Sequence, residues 1–380
     1  MTLPHPSTAA RPDVLNAIVY CEGFFGEQEG KTANGLVRHS RAYRILSVID
    51  SAQAGIDAGV RLDGAPLGIP VVTDLGEALR RAPVTPDVLI CGLAPADGRL
   101  DSTQRGALLD GIAAGLHLIN GLHDFLNDDV EFAAAALLAG VTITDIRRPR
   151  PTNELRLFSG AIDAVGCPRI AVLGTDGAIG KRTTATLLVD ALAERGVHAE
   201  LVGTGQTTII QGGTYGVALD AIIPQFASGE VEHQIVRAWA GEHPDVIIVE
   251  GQGALSHPAY LSSGAILRGS RAQGVIVQHA PLRAVLSDFP FVPMPTVESE
   301  IALIEAYAPT SVIGIALNHE HMTDREISDT IIEYEARFGV PVTDPLTRPL
   351  GRLADMVLDA FPDIANGAHR SVDPVAADSR

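Results

Sequence analysis

The residues most suited to chemistry lie in one stretch, Gly174-Thr175-Asp176-Gly177-Ala178-Ile179-Gly180-Lys181-Arg182-Thr183-Thr184. An apolar run from Arg169 leads into it, and a helical pattern starts near Lys181. Glycines let main-chain amides crowd around phosphate oxygens, a following helix turns its positive end toward them, and Lys181 adds a point charge. The chemistry expected is therefore capture of a phosphate group, with Gly174 through Thr184 as cofactor-binding residues. The strict pattern G-x-x-x-x-G-K-[ST] is missed twice. Gly174 precedes Gly180 by one position too many, and Arg182 stands where a hydroxyl residue usually holds Mg²⁺. Thr183, the alternative metal ligand, lies about 100° further round the helix. A glycine-rich turn without a ligand is the competing interpretation, and the order of strand, loop, lysine and helix speaks against it.

The segment GTDGAIGK resembles the loop of dethiobiotin synthetase and related amide-forming P-loop enzymes. Downstream, DVIIVEGQGAL places Glu250 at the carboxyl end of a buried strand, where such enzymes keep an acidic group near a metal or its water. Asp245, at the start of that strand, is expected to be a surface cap. The strand ending at Asn318 falls where nucleotide-dependent relatives recognise a base. Asn-Lys-x-Asp is replaced there by Asn318-His319-Glu320-His321, which favours adenine over guanine. His319 and His321 could ligate a metal, but loop histidines so spaced are more often solvated.

Two further segments carry polar residues that could meet a substrate. From Val202 to Phe226, Thr204, Gln206, Thr207, Gln211 and Tyr215 interleave with glycines, a composition costly for a helix or a core strand. It is expected to be a substrate-facing switch loop, with Asp220 binding an ammonium group or Mg²⁺, or capping a helix. In the first half, EGFFGEQEGKTANGLVRHSRAY imitates a phosphate loop, but Gly26 is one residue too close and Glu22, Glu27 and Glu29 would repel a polyphosphate. It also lacks G-x-G-x-x-G, so Asp50 is weak evidence for a ribose contact. Lys31, Asn34, Arg38 and Arg41 are expected to bind a small carboxylate substrate, a solvated basic face being the alternative.

These residues need elements to hold them. Short apolar runs alternate with helical patterns along most of the chain, the signature of parallel sheets with crossover helices. Strands are predicted at 17–21, 44–50, 69–72, 87–92, 117–120 and 141–145, then at 169–174, 198–205, 245–251, 274–279, 311–318 and 341–346. The segment RRPRPTNE, Arg147 to Glu154, interrupts the rhythm, and a helix to about Val165 is expected to complete the connection. The domains are then 1–150 and 151–365, both doubly wound α/β, with 366–380 a loose tail. Length agrees, since 380 residues suit two domains.

Composition narrows the function classes. With 28 Lys+Arg against 46 Asp+Glu the net charge is −18, which repels nucleic acid and anionic lipid, so any phosphate must be held locally. Cys21, Cys91 and Cys167 have neither a disulfide pattern nor metal spacing. The opening MTLPHPSTAARPD lacks a basic region followed by an apolar stretch, and no apolar run reaches 18 residues. A soluble cytoplasmic protein acting on a small molecule is expected, with a homo-oligomer compatible.

AIVYCEGFFG, GKTANGLVRHS, SVIDSAQAGIDAG, GTDGAIGKRTT and VEGQGALSHP, in this order, resemble the bacterial family of D-glutamate N-acetyltransferase-like proteins. The resemblance runs from about Asn16 to Ala360. It implies a Rossmann-like N-terminal domain, a P-loop NTPase-like C-terminal domain, and acetyl transfer from acetyl-CoA to an amino acid. Under that expectation the loop holds the phosphates of acetyl-CoA, and Glu250 or His257 deprotonates the substrate ammonium. A second expectation, favoured by the phosphate loop alone, is an amide ligase. There ATP·Mg²⁺, with Thr183 and Glu250 at the metal and Lys181 stabilising charge, would activate a carboxylate as an acyl phosphate. A nucleotide-dependent switch is the third, and leaves the polar glycine-rich segment without a use.

Overall fold

The computed structural model describes residues 14–95 and 98–365; the expected tail at 366–380 lies outside them. Two compact units are present, one of residues 14–146 with Ile210–Gly212, the other of Arg147–Ile209 with the chain from Gly213. Both are parallel α/β sheets, as the alternating pattern predicts.

In the first unit, β1 (Leu15–Tyr20), β2 (Tyr43–Ile49), β3 (Val71–Val72), β4 (Val88–Cys91), β5 (His117–Asn120) and β6 (Ile143–Asp145) form a sheet in the order β3-β2-β1-β4-β5-β6. Helices α1 (Lys31–His39), α2 (Ala58–Asp63), α3 (Leu75–Arg81), α4 (Ser102–Ala113) and α5 (Val130–Ala139) cover it. Aspartates cap four of them: Asp57, Asp74, Asp101 and Asp129 each accept main-chain amides of the first turn. The strand order reverses between β1 and β4, where ligands of open α/β sheets bind. Here the chain fills that place with itself. A Cβ on Gly30 would lie 2.1 Å from the Phe24 carbonyl oxygen, and the Ala33 amide in the first turn of α1 donates to Gly92 O at 3.1 Å. Asp50 takes the amides of Phe25 and Ala52 at 2.9 and 3.1 Å, so its carboxylate holds the loop.

The connection after β6 contains no α-helix, against expectation. It makes two 3₁₀ turns, Thr152–Glu154 and Ala161–Ala164. Pro149 and Pro151 remove two amide donors, and Gly160 is left-handed at φ +83°. The amides of Arg156, Ser159 and Ile162 instead bind the carboxylates of Glu230 and Glu232, both buried.

The second unit comprises β7 (Arg169–Gly174), β8 (Ala199–Gly203), β9 (Tyr215–Gly216), β10 (Val246–Glu250), β11 (Gly274–His279), β12 (Ser311–Leu317) and β13 (Val342–Thr343). Their order is β13-β12-β11-β7-β10-β8-β9. The helices are α6 (Lys181–Glu194), α7 (Gln206–Ile210), α8 (Pro224–Glu242), α9 (Ser262–Ser270), α10 (Val297–Tyr307), α11 (Asp324–Phe338), α12 (Gly351–Ala360) and α13 (Pro362–Ala365). Strand β7 is buried on both faces. Ala171 and Leu173 pack with Val231 and Ile266 on one side, and Ile170 and Val172 with Leu188 and Leu353 on the other. This explains its unbroken apolar run. Asp245 is buried rather than a surface cap, its carboxylate accepting the His198 amide at 2.9 Å.

The segment expected to be a switch loop is ordered. Its glycines stand outside the helical run: Gly203 and Gly205 precede α7, Gly212 and Gly213 follow it, and Gln206–Ile210 contains none. β9 then adds an edge strand, and Thr204, Gln206, Thr207, Gln211 and Tyr215 are all buried.

Candidate functional site

The loop after β7 leaves the middle of the second sheet, between β11 and β10. Its first half is anchored. The Thr175 amide donates to Gln278 O at 3.1 Å, and the Thr175 hydroxyl meets Nδ1 of His279 at 2.9 Å. A Cβ on Gly174 would lie 2.6 Å from Gln278 O and 2.8 Å from Cδ1 of Ile179, so only glycine fits. Asp176, fully buried, accepts the amides of Gly177 and Ser287 and the guanidinium of Arg283 at 2.6, 2.8 and 2.9 Å. Arg283 also reaches Gly177 O and Glu320. The Asp176 side chain is thus an anchor, and the loop offers a ligand its main chain.

The second half forms an open lip. Ala178 is exposed and left-handed at φ +45°, and Gly180 follows at φ +101° with nothing closer than 3.8 Å to where a Cβ would sit. Helix α6 begins there without any side-chain cap, leaving its first turn positive. Lys181 is buried, and its Nζ folds back onto the carbonyl oxygen of Asp176. Thr184 is also buried and donates to Oε1 of Gln278, while Thr183 and Arg182 are half-buried. Asn318 braces the loop from behind: its Nδ2 donates to Ile179 O at 3.1 Å and its Oδ1 accepts the Glu320 amide at 3.0 Å. Both ends of the amide expected to read an adenine are therefore engaged.

Glu250 ends β10 beside β7, in register with Val172 two residues before Gly174. One carboxylate oxygen, Oε2, accepts the Thr204 amide at 3.0 Å and the Thr208 hydroxyl at 2.8 Å. No described residue hydrogen-bonds to Oε1. The chain then runs tightly past β7, where a Cβ on Gly251 would lie 2.1 Å from Val172 O. Glu300, buried on α10, accepts the amides of Leu255 and Ser256 and the Ser256 hydroxyl. That fixed turn presents His257, whose ring stacks on Tyr260 at 4.2 Å and meets the edge of Phe289 at 5.5 Å. Tyr260 donates to Asp288 at 2.6 Å and comes within 4.0 Å of where a Cβ on Gly177 would be. Burial holds the His257 imidazole below its ordinary pKa. Asp176 and Asp288 pull it up and Lys181 pushes it down, so the ring feels the phosphate loop.

The other expected site residues are placed elsewhere. Tyr215 belongs to the core, its hydroxyl on Glu242 at 3.2 Å. Gln206 and Thr207 are buried in α7. Asp220 lies in a 3₁₀ turn, paired with Arg147, and neither caps a helix nor stands open to an ammonium. His319 pairs with Asp344 at 2.7 Å and His321 faces Glu320, so the two rings engage different carboxylates. In the first unit, Asn34 braces its own loop through Gly26 N and Glu27 O, and Arg38 forks onto Asp63. Lys31 and Arg41 are exposed. The carboxylate site expected from these four is reduced by the two occupied side chains.

Arg283, Ser287, Asp288, Tyr260 and Glu300 surround the loop and the His257 turn without having been singled out in the sequence. Their signal is spatial: 283–288 follow β11, the strand next to β7.

The P-loop family model described as "Domain of unknown function (DUF1611_C) P-loop domain" matches residues 156–354, and "Domain of unknown function (DUF1611_N) Rossmann-like domain" matches residues 51–149. A protein named D-glutamate N-acetyltransferase from Tritonibacter scottomollicae is 31% identical over 298 residues, 77% of this chain and 86% of that one. Another of that name from Pseudoalteromonas sp is 30% identical over 263 residues, 68% of this chain and 77% of the relative. The crystal structure of a DUF1611 family protein from Anabaena variabilis matches with a TM-score of 0.83 at 31% identity, covering 91% of this chain and 99% of that chain.

Proposed function

This chain belongs to the DUF1611 family, with its Rossmann-like and P-loop domains, and from that premise we propose that it is an N-acyltransferase carrying an acetyl group from acetyl-CoA to the amino group of D-glutamate. The observation that supports this best is the hydroxyl inventory of the loop. Thr184 is taken by Gln278 and Arg182 occupies the usual metal-ligand position, leaving Thr183 as the one remaining hydroxyl on the first turn. Such a loop suits a diphosphate bound by amides, a helix end and Lys181 better than one bridged by Mg²⁺. The names of the relatives point the same way.

Acetyl-CoA supplies an activated acyl carbon as its thioester. The chain's residues bind and orient it: the lip Ala178–Gly180 and the start of α6 receive phosphate oxygens, and Lys181 turns from the Asp176 carbonyl to the anion. Glu250 uses its second oxygen, Oε1, as the base that takes a proton from the substrate ammonium, while Thr204 and Thr208 keep Oε2 in place. The freed amine adds to the acyl carbon, the C–S bond breaks, and sulfur leaves with the electron pair. The products are the amide, the thiol and one proton.

Purified protein incubated with acetyl-CoA and D-glutamate, without ATP, is expected to release free thiol and N-acetyl-D-glutamate in equal amounts. No product under these conditions, with ADP formed instead from ATP, a carboxylate and an amine, would replace this reaction by the ligase.

A further inference from the structure

His257 is 5% exposed, and its two ring nitrogens have different environments. Nδ1 accepts two main-chain amides, those of Ala259 and Tyr260, each at 3.2 Å. A nitrogen that accepts cannot carry the proton, so the neutral ring holds it on Nε2. Nε2 is buried and has no hydrogen-bond partner among the described residues. A buried donor left unpaired is costly, and one that lines a candidate site calls for a role, such as meeting a ligand. The Ser287 hydroxyl is also buried without a partner among the described residues, and it lies 3.7 Å from where a Cβ on Gly177 would be.

Resting on the acyl-transfer reading, we infer that His257 is an oxyanion donor whose Nε2–H hydrogen-bonds the acyl carbonyl oxygen as the amine adds. As the C–N bond forms, the carbonyl π pair moves onto that oxygen. When the pair returns, the C–S bond breaks and the thiolate departs. The proton stays on Nε2 throughout, so His257 is not the base.

A permanent phosphate dianion would be met better by a cation. The surroundings instead favour a neutral ring: Tyr260 and Phe289 wall it, two amides occupy Nδ1, and Lys181 opposes the carboxylates of Asp176 and Asp288. A neutral, immobilised donor is worth most to charge that appears only in the transition state. Glu300 acts as a positioning residue through the Leu255 and Ser256 amides.

The test combines ¹⁵N NMR of the histidine rings of the full chain with kinetics. The resonances missing in His257→Gln identify the ring, which is expected to be neutral with its proton on Nε2 between about pH 6.5 and 8. His257→Ala should lower kcat by roughly 10²–10³-fold with KM for both substrates little changed. His257→Gln, whose side-chain amide can place an N–H near the same point, should recover part of that loss and keep the acidic limb of the kcat/KM profile. A proton on Nδ1, an imidazolium at neutral pH, a vanished acidic limb in His257→Gln, or a loss confined to KM would each overturn the donor role alone. No turnover by the unaltered protein with acetyl-CoA and D-glutamate would remove the acyl-transfer reading and this role with it.

Discussion

Replacing Glu250 in two ways separates what its two oxygens do. In Glu250→Gln, the amide oxygen can take the place of Oε2 and accept the Thr204 amide and the Thr208 hydroxyl, while the NH₂ falls where Oε1 was open. Folding stability should change by less than about 1 kcal/mol, because no buried donor loses its acceptor. Turnover should fall by about 10²–10⁴-fold, the usual worth of a positioned base, with KM for acetyl-CoA nearly unchanged. In Glu250→Ala both donors are left buried and unpaired. At about 1.5–3 kcal/mol for each hydrogen bond to a charged group, the cost is about 3–6 kcal/mol, so thermal unfolding should shift down along with activity. Thiol release under saturating substrates, together with a melting curve for each variant, reads both effects. A Gln variant that keeps kcat within a few-fold of the original, or one as unstable as the Ala variant, would refute the division of roles between the oxygens.

Two other perturbations test the loop and its anchor. Gly174→Ala forces a Cβ to within 2.6 Å of a main-chain oxygen, whereas Gly177→Ala meets nothing nearer than 3.7 Å. The first should therefore lose about 1–3 kcal/mol of stability and most acetyl-CoA binding, and the second should melt like the unaltered protein; equal melting temperatures would contradict the packing. His279 is buried against Thr175, and burial pushes its imidazole down to about 4 from the ordinary 6.5. Between those values the unfolded chain binds the extra proton, so His279 lowers stability as pH falls from about 6.5 to 4, by up to about 3 kcal/mol, and contributes no slope above or below. Urea melts across that range should show a shallower slope in His279→Asn; an unchanged slope would place the titration elsewhere.

Much of the second unit was legible in the sequence because its central strands are buried on both faces, and Ile170 through Leu173 or Ile247 through Val249 then read as unbroken apolar runs. The phosphate loop was legible because glycine spacing and Lys181 state a local geometry. What the sequence concealed was set by contacts far along the chain. Arg38 looked free for a substrate until Asp63, 25 residues on, took it. Tyr215 looked like a loop residue until β8 paired with β9. Glycine count argued against helix over 204–215, yet all the glycines fall outside Gln206–Ile210, so counting over too wide a window hid α7. The sequence marked His257 as a candidate base; the amides of Ala259 and Tyr260 on Nδ1 could be seen only once the turn held by Glu300 had been located.

The claim on which the chemistry depends is that the main chain from Ala178 into the start of α6, with Lys181, receives the phosphates of the acyl donor. Calorimetric titration of acetyl-CoA into the full chain and into Lys181→Ala, without ATP or Mg²⁺, tests it most directly. One molecule should bind per chain, and the variant should bind about 10–100-fold more weakly, as expected when a charge-assisted hydrogen bond of about 1.5–3 kcal/mol is lost. Equal affinity of the two proteins for acetyl-CoA would contradict the phosphate-loop assignment.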